Sequence, residues 1–508
     1  MTRPRRRGIA LVTVIWLGAI LLVMVLSLAY ATGLTVQTNG NWRDSIQAYY
    51  TATSGLEQAL AQLDAEEPGT LLVTAEGLLL DSKDLSQNPE AESYRFVTRV
   101  LDNCGKLDLN TATAEQLALL PGMDEDLAAA IVDWRTPLTD DEGNPTTTAD
   151  GSQVGAYDGF YQQQTPAYEA AHRPFQSVEE LLLVQGMTPE LLYGTSERPL
   201  RLTPTERFRM DLSQDFAPAN PEDVPLIDLV TVAADSRDLA SDLEPRLEFT
   251  TTNLDALRER ADALGLGDAF SRAATKAGPS GPSDWNAMWQ IAGNDVETMA
   301  VLADLCKVSE ASQAVPGQTP GGAGGGAPGG GGGFDGGGFG GRDFGPQQRG
   351  AVFGPRLIAF SPRGSVRLAQ LGQSEDSSGA AAAEEPMLTG QINPNTASEA
   401  ALLAFFGGQE NADTLDIAGL VSGLIGQRDS QPLQSRGAFL LALSQTLGEG
   451  QDMRALFSAV ADKVTVHSDS FEAHSFGLAP RTNIAIELRA QVDRSSGRCV
   501  LTRFRSAQ

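Results

Sequence analysis

The sequence has few of the side chains that metal centres and disulfide scaffolds require. Its 508 residues include three cysteines and three histidines, with no Cys-x-x-Cys pair. Two of Cys104, Cys306 and Cys499 could pair and leave one free, but three cysteines are too few for a disulfide framework. The low histidine count argues against zinc. A Gly-x-x-x-x-Gly-Lys-Ser/Thr segment is also missing, which excludes a P-loop ATPase.

Basic side chains are scarce as well. The chain has 37 Lys and Arg against 65 Asp and Glu, a net charge of −28. Proteins that bind nucleic acid without sequence preference need an excess of Lys and Arg, so the composition argues against that class. The length is sufficient for several domains.

A basic N-terminus precedes a long apolar run. Four arginines lie within residues 1–7, and residues 9–28 are mostly aliphatic. About 20 helical residues span the hydrocarbon core of a bilayer, which is about 30 Å thick. The arginines place the N-terminus in the cytoplasm. We therefore predict a single-pass anchor in the bacterial inner membrane, in contact with its lipid, and a periplasmic C-terminal domain.

Three interpretations of this run are open. A cleaved signal peptide has a shorter apolar region, of about 7–15 residues. An uncleaved signal anchor is the second interpretation. We favour the third, a prepilin-type leader over residues 1–8, cleaved between Gly8 and Ile9 so that the helix survives. Thr13 then occupies the fifth mature position and leaves the helix without a charge in lipid.

The helix is predicted to continue beyond the membrane and to end before Pro68-Gly69. Apolar or small residues recur every three or four positions, as in an amphipathic helix: Tyr49, Ala52, Leu56, Ala59 and Leu63. We predict one transmembrane and spine helix over 9–66. A membrane helix followed by a separate surface helix fits the same pattern.

Strand patterns lie on either side of the middle of the chain. They cover residues 71–80, 93–101, 463–471, 483–492 and 499–505, and the last two form a hairpin. The predicted fold class is α+β: the spine helix packs on a small antiparallel sheet, as in pilins, and helical modules are inserted.

Two helical segments are related in sequence. Residues 107–135 resemble a helix-hairpin-helix module, in which Thr111 or Thr113 caps a short helix and Pro121-Gly122 forms a tight turn. Residues 392–399 repeat the pattern of residues 107–114. We predict helical module 1 over 104–195 and helical module 2 over 389–448.

The remaining boundaries follow composition. The predicted parts are a leader (1–8), a helix (9–66), a first β part (67–103), module 1, a mixed insertion (196–310), a Gly-rich linker (311–351), a strand and spacer (352–388), module 2 and a second β part (452–508). Within the insertion, residues 253–306 are predicted to be mainly helical, and residues 226–232 give the clearest strand. The linker carries Phe334, Phe339 and Phe344, which are either contacts for a partner or part of a tolerated insertion.

The hairpin of module 1 argues against DNA binding. Helix-hairpin-helix modules that bind DNA offer backbone N–H groups to a phosphate, usually beside Lys or Arg. Here Pro121-Gly122 runs into Asp124, Glu125 and Asp126, which place three carboxylates where the phosphate would lie. We expect no nucleic-acid partner. The modules are expected to contact protein or to complete a helical domain.

No catalytic residue is predicted. His467 and His474 lie near Ser468 and Ser470, as a base lies near a nucleophile, but a His/Ser cluster on a strand is more often structural. We expect a protein that is not an enzyme and has no catalytic or cofactor-binding residues.

Together, these features resemble the protein K family of type II secretion minor pseudopilins. The matching residues are the leader with Thr13, the helix opening at Asn110-Thr111-Ala112, and residues 131–135, 155–161 and 174–186. The resemblance implies a tip subunit of a short pseudopilus that supports export across the outer membrane. It also implies processing by prepilin peptidase, an often methylated Ile9, and assembly with minor pseudopilins I and J.

The resemblance also implies calcium, and no other cofactor. We place its ligands at Asp140, Asp141, Glu142 and Asp158, since calcium takes six to eight oxygen ligands from such acidic loops. A solvated acidic loop is the alternative. Two other functions stay open: a membrane-anchored helix-hairpin-helix receptor for DNA uptake, which would need basic hairpins, and a minor pilin of a type IV pilus.

Overall fold

A computed structural model describes the chain in segments: residues 7–65, 73–75, 77–82, 95–140, 146–147, 154–194, 224–308, 358–359, 387–409, 412–479, 482, 484–495 and 498–507. Its first element is helix α1 (Arg7–Asp64), a continuous helix of 58 residues. The prediction of one long helix is therefore confirmed. Within the described segments, α1 alone has the length and apolar composition to cross a membrane, and residues 13–39 are exposed.

The other elements follow in chain order. The helices are α2 (Ala114–Ala118), α3 (Glu125–Arg135), α4 (Asp158–Gln162), α5 (Pro189–Tyr193), α6 (Leu226–Leu229), α7 (Leu254–Ala263), α8 (Gly267–Ala274), α9 (Trp285–Ala292), α10 (Val296–Leu305), α11 (Glu399–Gly407), α12 (Ile417–Ser430), α13 (Arg436–Leu447) and α14 (Gln451–Val460). The strands are β1 (Leu78–Asp81), β2 (Arg95–Asp102), β3 (Leu107–Asp108), β4 (Val230–Thr231), β5 (Ser236–Arg237), β6 (Leu247–Glu248), β7 (Cys306–Lys307), β8 (Ile358–Ala359), β9 (Met387–Leu388), β10 (Ser470–Ala479), β11 (Ile484–Asp493) and β12 (Arg498–Ala507).

One antiparallel sheet combines strands from both ends of the chain, in the order β1-β2-β10-β11-β12-β8. Its central pair, β2 and β10, places Val100 opposite Ala473 and Asp102 opposite Phe471. The predicted α+β fold class and the β11–β12 hairpin are thus confirmed. We call α1 and this sheet the body.

Small residues let α1 lie close against the sheet. Ala48, Ala52 and Ala59 are fully buried there, and the Ser475 hydroxyl donates a hydrogen bond of 2.7 Å to the carbonyl oxygen of Ala52. A Cβ atom on Gly477 would lie 2.0 Å from the carbonyl oxygen of Ala48. Because these side chains are so small, the backbones of α1 and of the sheet come nearly into contact.

The helical modules are inserted between β2 and β10 and leave the sheet at one end. Asp102, the last residue of β2, is opposite Phe471 near the start of β10. Along β10, Gly477 lies against Ala48 and Ser475 against Ala52. The start of β10 therefore points toward the C-terminal end of α1, and so does the insertion.

The inserted residues have their own hydrophobic core, separate from that of the body. Helices α7 to α10 cover the stretch predicted to be mainly helical, which confirms that prediction. Short parallel ladders, β3 with β4 and β6 with β7, connect the insertion internally.

Three strand predictions were wrong in extent or type. Residues 226–232 begin as helix α6 because Leu226 and Leu229, three residues apart, both face the core. Residues 463–469 are not strand. The first predicted strand starts only at Leu78, after a turn in which Gly77 has a φ of 86° and donates to the carbonyl of Thr74.

The close approach at Gly477 gives the first prediction. Replacing Gly477 with Ala places a Cβ 2.6 Å from the backbone nitrogen of Ala52 as well, which overpacks the helix–sheet contact. We expect the free energy of unfolding of the detergent-solubilised chain to fall by about 1–3 kcal/mol. The matched control is Gly426→Ala in α12, where no atom lies within 4 Å; its stability should hold or rise slightly. Equal effects of the two changes would contradict this packing.

Candidate functional site: the helical modules and their junction with the body

Module 1 opens with a capped helix and a tight turn. Thr113 caps α2: its hydroxyl accepts from the backbone N–H of Gln116, whose side chain accepts from the N–H of Thr113. Gly122 has a φ of 77°, which glycine adopts without strain. Asp124 then caps α3 by accepting from the N–H of Leu127 at 2.7 Å. Of the two caps left open by the sequence, the structure has Thr113.

Asn110 connects the start of module 1 to a distant loop. Its side-chain amide donates to the carbonyl of Phe175 at 3.1 Å, and its side-chain oxygen accepts from the N–H of Phe175 at 2.7 Å. The guanidinium of Arg135 at the end of α3 donates to the carbonyls of Leu109 and Ala112. One amide and one guanidinium thus hold three segments of the module together.

Module 2 repeats this arrangement with different residues. Asn395 exchanges the same pair of hydrogen bonds with the backbone of Leu433, both at 2.8 Å. Arg428, at the end of α12, donates to the carbonyls of Pro394 and Ala397. Ser398 caps α11 as Thr113 caps α2. The sequence repeat is therefore a structural repeat.

One position differs between the two modules. The Asp108 carboxylate accepts from the N–H of Asn110 at 2.7 Å, whereas the amide oxygen of Asn393 accepts from the N–H of Asn395 at 3.1 Å. Burial, the largest cause, raises the pKa of Asp108 to about 6. Module 1 therefore carries a titratable group where module 2 has a neutral one.

The two modules contact each other through their capped helices. The side-chain amide of Gln116 in α2 donates to the carbonyl of Phe405 in α11 at 3.0 Å. A Cβ on Gly408 would collide with Gln116. The apolar side chains of both modules lie in one continuous core, so the two form a single helical domain.

The Asp102 carboxylate joins this helical domain to the body. One of its oxygens accepts from the backbone N–H of Cys104 at 2.8 Å. The other accepts from the hydroxyls of Thr396 and Ser468, each at 2.6 Å, and from the amide of Asn393 at 3.1 Å. Burial raises the pKa of Asp102 above its ordinary value, although these hydrogen bonds oppose the shift.

Further polar contacts surround this junction. Asp469 accepts from the backbone and the guanidinium of Arg237, with the shortest bond 2.8 Å long. Lys106 pairs with Glu472 at 3.2 Å. Sequence reasoning missed these residues, because each contact joins positions more than 200 residues apart and no local pattern marks them.

The predicted calcium ligands are not gathered in the part of the chain that the structure describes. Asp140 is exposed, Asp141 and Glu142 lie outside the described residues, and Asp158 contacts Nε2 of His172 at 3.1 Å. The described residues contain no group of three metal-ligating side chains. They do not by themselves supply the six to eight oxygens that calcium takes, and calcium binding stays a prediction.

Asp133 is a buried carboxylate beside this loop that sequence reasoning did not single out. It is 2% exposed. One oxygen accepts from the N–H of Gly155 at 2.7 Å, and the other has no hydrogen-bond partner. Burial raises its pKa. The sequence offered one signal of its burial: Asp133 directly precedes Trp134 in a helix that faces the core.

The His/Ser cluster has structural bonds. Ser468 donates to Asp102, and Ser470 accepts from the amide of Asn103 at 2.9 Å. His474 contacts Glu472 at 2.7 Å. Among the described residues, no hydrogen bond joins His467 or His474 to either serine. The arrangement is therefore not that of a nucleophile and its base.

The three cysteines are buried free thiols at separate places. Cys104 lies at the junction, Cys306 in β7 and Cys499 in β12. Two of them could have paired by sequence alone, and they do not. Burial raises the pKa of each thiol, which makes all three poor nucleophiles.

Comparison with known proteins finds similarity in the first module. The family described as Type II secretion system (T2SS), protein K matches residues 110–194, inside the predicted module 1. Two curated proteins named Type II secretion system protein K are similar: one from Klebsiella pneumoniae, 27% identical over 207 residues, and one from Pseudomonas aeruginosa, 26% identical over 200 residues. These alignments cover 37% and 36% of this chain and 60% and 58% of the relatives. The chain thus spans about 60% of the length of the curated relatives it matches.

A solved structure is also similar, at a distance. It is the crystal structure of the GspK-GspI-GspJ complex from the type 2 secretion system of enterotoxigenic Escherichia coli. The match covers 93% of this chain and 99% of that one, with 11% identity and a TM-score of 0.38. The resemblance to protein K that the sequence indicated is confirmed by the family match and the curated relatives.

The junction gives a second prediction. Replacing Asp102 with Ala leaves the buried hydroxyls of Thr396 and Ser468 without their acceptor, which we expect to cost about 3 kcal/mol or more. Amide hydrogen exchange should accelerate together around residues 103–108 and 392–396, measured by mass spectrometry. Asp429→Ala, at a side chain that is 70% exposed, is the control. Faster exchange on only one side of the junction would contradict a shared anchor.

Asp108 gives a pH-dependent prediction. Its pKa is about 6 in the folded chain against an ordinary value of 3.8, so the folded state binds the proton more tightly. Its contribution to stability is complete below about pH 4 and is lost as the pH rises through 6. In Asp108→Asn, the stability difference from wild type should therefore shift in favour of the variant by about 2–3 kcal/mol between pH 4 and 7. Denaturant unfolding measures this shift, and a flat difference for Asp108→Asn would refute the assignment.

Proposed function

We propose that the chain is a non-enzymatic minor pseudopilin of the type II secretion system, because residues 110–194 match the protein K family of that system. In this proposal it is the tip subunit of a short pseudopilus that supports protein export across the outer membrane. The body packs with neighbouring subunits through α1, and the helical domain lies at the tip of the pseudopilus.

The position of the insertion is the observation that carries this proposal. The helical domain leaves the body beside the C-terminal end of α1, the end farthest from the apolar, exposed residues 13–39. With those residues in the membrane, the helical domain lies on the periplasmic side above the sheet. A domain of this size at that end would block another subunit from adding above, whereas the sides of α1 below it stay accessible.

The N-terminal half of α1 supports membrane insertion and processing. The Arg-rich N-terminus favours the cytoplasmic side, and cleavage by prepilin peptidase between Gly8 and Ile9 leaves the helix whole. Thr13 at the fifth mature position adds no charge in lipid. A subunit at the tip has no neighbour above it whose N-terminal amine a carboxylate at this position would neutralise.

The proposed partners are minor pseudopilins I and J, located beneath this subunit. In the crystal structure of the GspK-GspI-GspJ complex, GspK is assembled with GspI and GspJ. Residues 13–39 of α1 are exposed, and in pilin-like assemblies such helices pack on one another. The contact with I and J is therefore proposed along α1.

The DNA-uptake alternative has less support. Asp124 occupies the N-terminus of α3 with its own carboxylate, and Glu125 and Asp126 are exposed beside it. A phosphate at this place would meet three negative charges, and residues 116–134 contain no Lys or Arg, so its binding would be repulsive. The second alternative is a minor pilin of a type IV pilus. Such a protein would belong to a different assembly, but the same features of the chain would suit it, so only the similarity to protein K favours type II secretion.

The proposal predicts a mature N-terminus at Ile9 and a location at one end of the pseudopilus. Membrane-derived protein should have the intact mass of residues 9–508 when prepilin peptidase is co-expressed, and of the full precursor when it is not. Gold labelling of the helical domain should then mark a single end of isolated pseudopili.

Three outcomes would contradict the proposal. A retained Met1 in the presence of the peptidase, or cleavage beyond residue 25, would exclude the pseudopilin route. Label along the whole filament would exclude the tip role while leaving the pseudopilin assignment intact. A Gly8→Val variant serves as the control, because its leader should persist in the presence of the peptidase.

A further inference from the structure

Module 1 exposes a group of large apolar side chains, which we call the apolar patch: Leu138, Phe160, Leu182 and Leu183. Their exposed fractions are 47%, 37%, 36% and 47%. Outside α1, the structure describes four other large apolar side chains with comparable exposure, and these are scattered along the chain: Leu79, Leu119, Leu441 and Val500. Exposed apolar side chains that cluster in this way mark an interaction surface.

Contacts beneath the surface connect the members of the patch. The ring of Phe160 lies 5.5 Å from that of Tyr161, which lies 5.5 Å from the ring of Tyr168. The Tyr168 hydroxyl donates to the carbonyl of Leu183 at 2.8 Å. Leu138 lies next to Gly155, just before α4. Because buried or bonded rings support it from below, the patch is a fixed surface.

The surroundings of the patch are acidic. The described residues of module 1 carry twelve Asp and Glu against three Lys and Arg, and Lys106 and Arg135 are committed to bonds inside the fold. Asp140, Glu169 and Glu179 are exposed. An occupant that complements this surface needs apolar side chains together with positive charge.

The chain itself contains such a segment. Residues 334–357 hold four Phe and three Arg, with two Asp and otherwise mostly Gly and small or uncharged residues. The segment thus supplies both the apolar rings and the positive charge that complement the apolar patch and its surroundings. Phe and Arg are also residues that protein interfaces favour.

The segment is tethered on both sides to described parts of the chain. The described chain stops at Val308 after β7 and resumes at β8, where Ile358 pairs with Cys499 at the edge of the sheet. The 49 residues between these points, if they behave as a Gly-rich coil, have a typical end-to-end distance of about 40 Å. A tethered segment has an effective concentration on the order of millimolar, so even weak binding would fill the patch.

We propose that residues 334–357 bind the apolar patch of module 1 in the same chain. The Phe rings cover Leu138, Phe160, Leu182 and Leu183, and the Arg side chains lie among the carboxylates around them. This goes beyond the pseudopilin assignment and does not depend on it. In this proposal the Gly-rich insertion binds module 1 and is more than a spacer.

The test is competition between a free and a tethered segment. A fluorescent peptide of residues 334–357 is titrated into the detergent-solubilised full chain and into a variant lacking residues 316–350, which removes three of the four Phe. We expect the deletion variant to bind at least tenfold more tightly by fluorescence anisotropy, because its patch is free of the tethered segment. Equal binding to both proteins, or binding to neither, would overturn the proposal.

Matched variants locate the binding surface. In the deletion background, Leu183→Asp and Phe160→Asp should each weaken binding at least tenfold, whereas Leu441→Asp, at a comparably exposed leucine of module 2, should not. A peptide with its Phe replaced by Ser should not bind, and this control leaves the protein unchanged. Equal loss with Leu441→Asp would overturn the assignment to this patch.

A second copy of the chain is the competing occupant. Sedimentation of the full chain and of Leu183→Asp distinguishes the two. The proposal expects the same mass for both proteins. A dimer that Leu183→Asp dissociates would overturn the proposal in favour of contact between copies.

Discussion

The carboxylate of Asp102 lies where the sheet and both helical modules meet. It accepts hydrogen bonds from the first turn of module 1, from the opening of module 2 and from the residues that lead into β10. A buried carboxylate is stable only when its oxygens accept hydrogen bonds. All of these donors must therefore be in place in the folded protein. The orientation of the helical domain on the body follows from this requirement, and with it the location of the domain at the end of α1.

Local patterns predicted the elements better than their connections. The three-to-four residue spacing along α1, the cap of α2 and the alternation in β11 each arise within a few residues. Each was predicted from sequence, although the cap was left open between Thr111 and Thr113. Residues 226–232 were predicted as a strand because a short apolar run fits both strand and buried helix. The contacts at Asp102 join residues as far as 366 positions apart, and no local pattern marks such a pair.

The two modules use the same hydrogen bonds to hold their loops and helices together. In each, an Asn side chain completes the backbone of a distant loop, and an Arg at the end of a helix satisfies two carbonyls. The residue types at these positions are legible in the sequence as a repeat. The loops that they hold are related as well, Pro-Phe-Gln-Ser at 174–177 against Pro-Leu-Gln-Ser at 432–435. The roles of the Asn and Arg side chains are still not legible, because a sequence repeat does not say which side chain bonds which backbone group. The Asp108 and Asn393 pair shows that the arrangement tolerates a charge or its absence.

The order of strands in the sheet has a consequence for biogenesis. The two central neighbours, β2 and β10, are separated by more than 360 residues, most of which belong to the helical domain. Contacts of such long range form late, after the intervening chain has condensed. In the proposed function α1 reaches the membrane first, yet the sheet on which its second half packs is complete only after the last strand has been translocated. A chain interrupted anywhere in the insertion would then carry α1 without the completed sheet, and only full-length subunits would become competent to assemble.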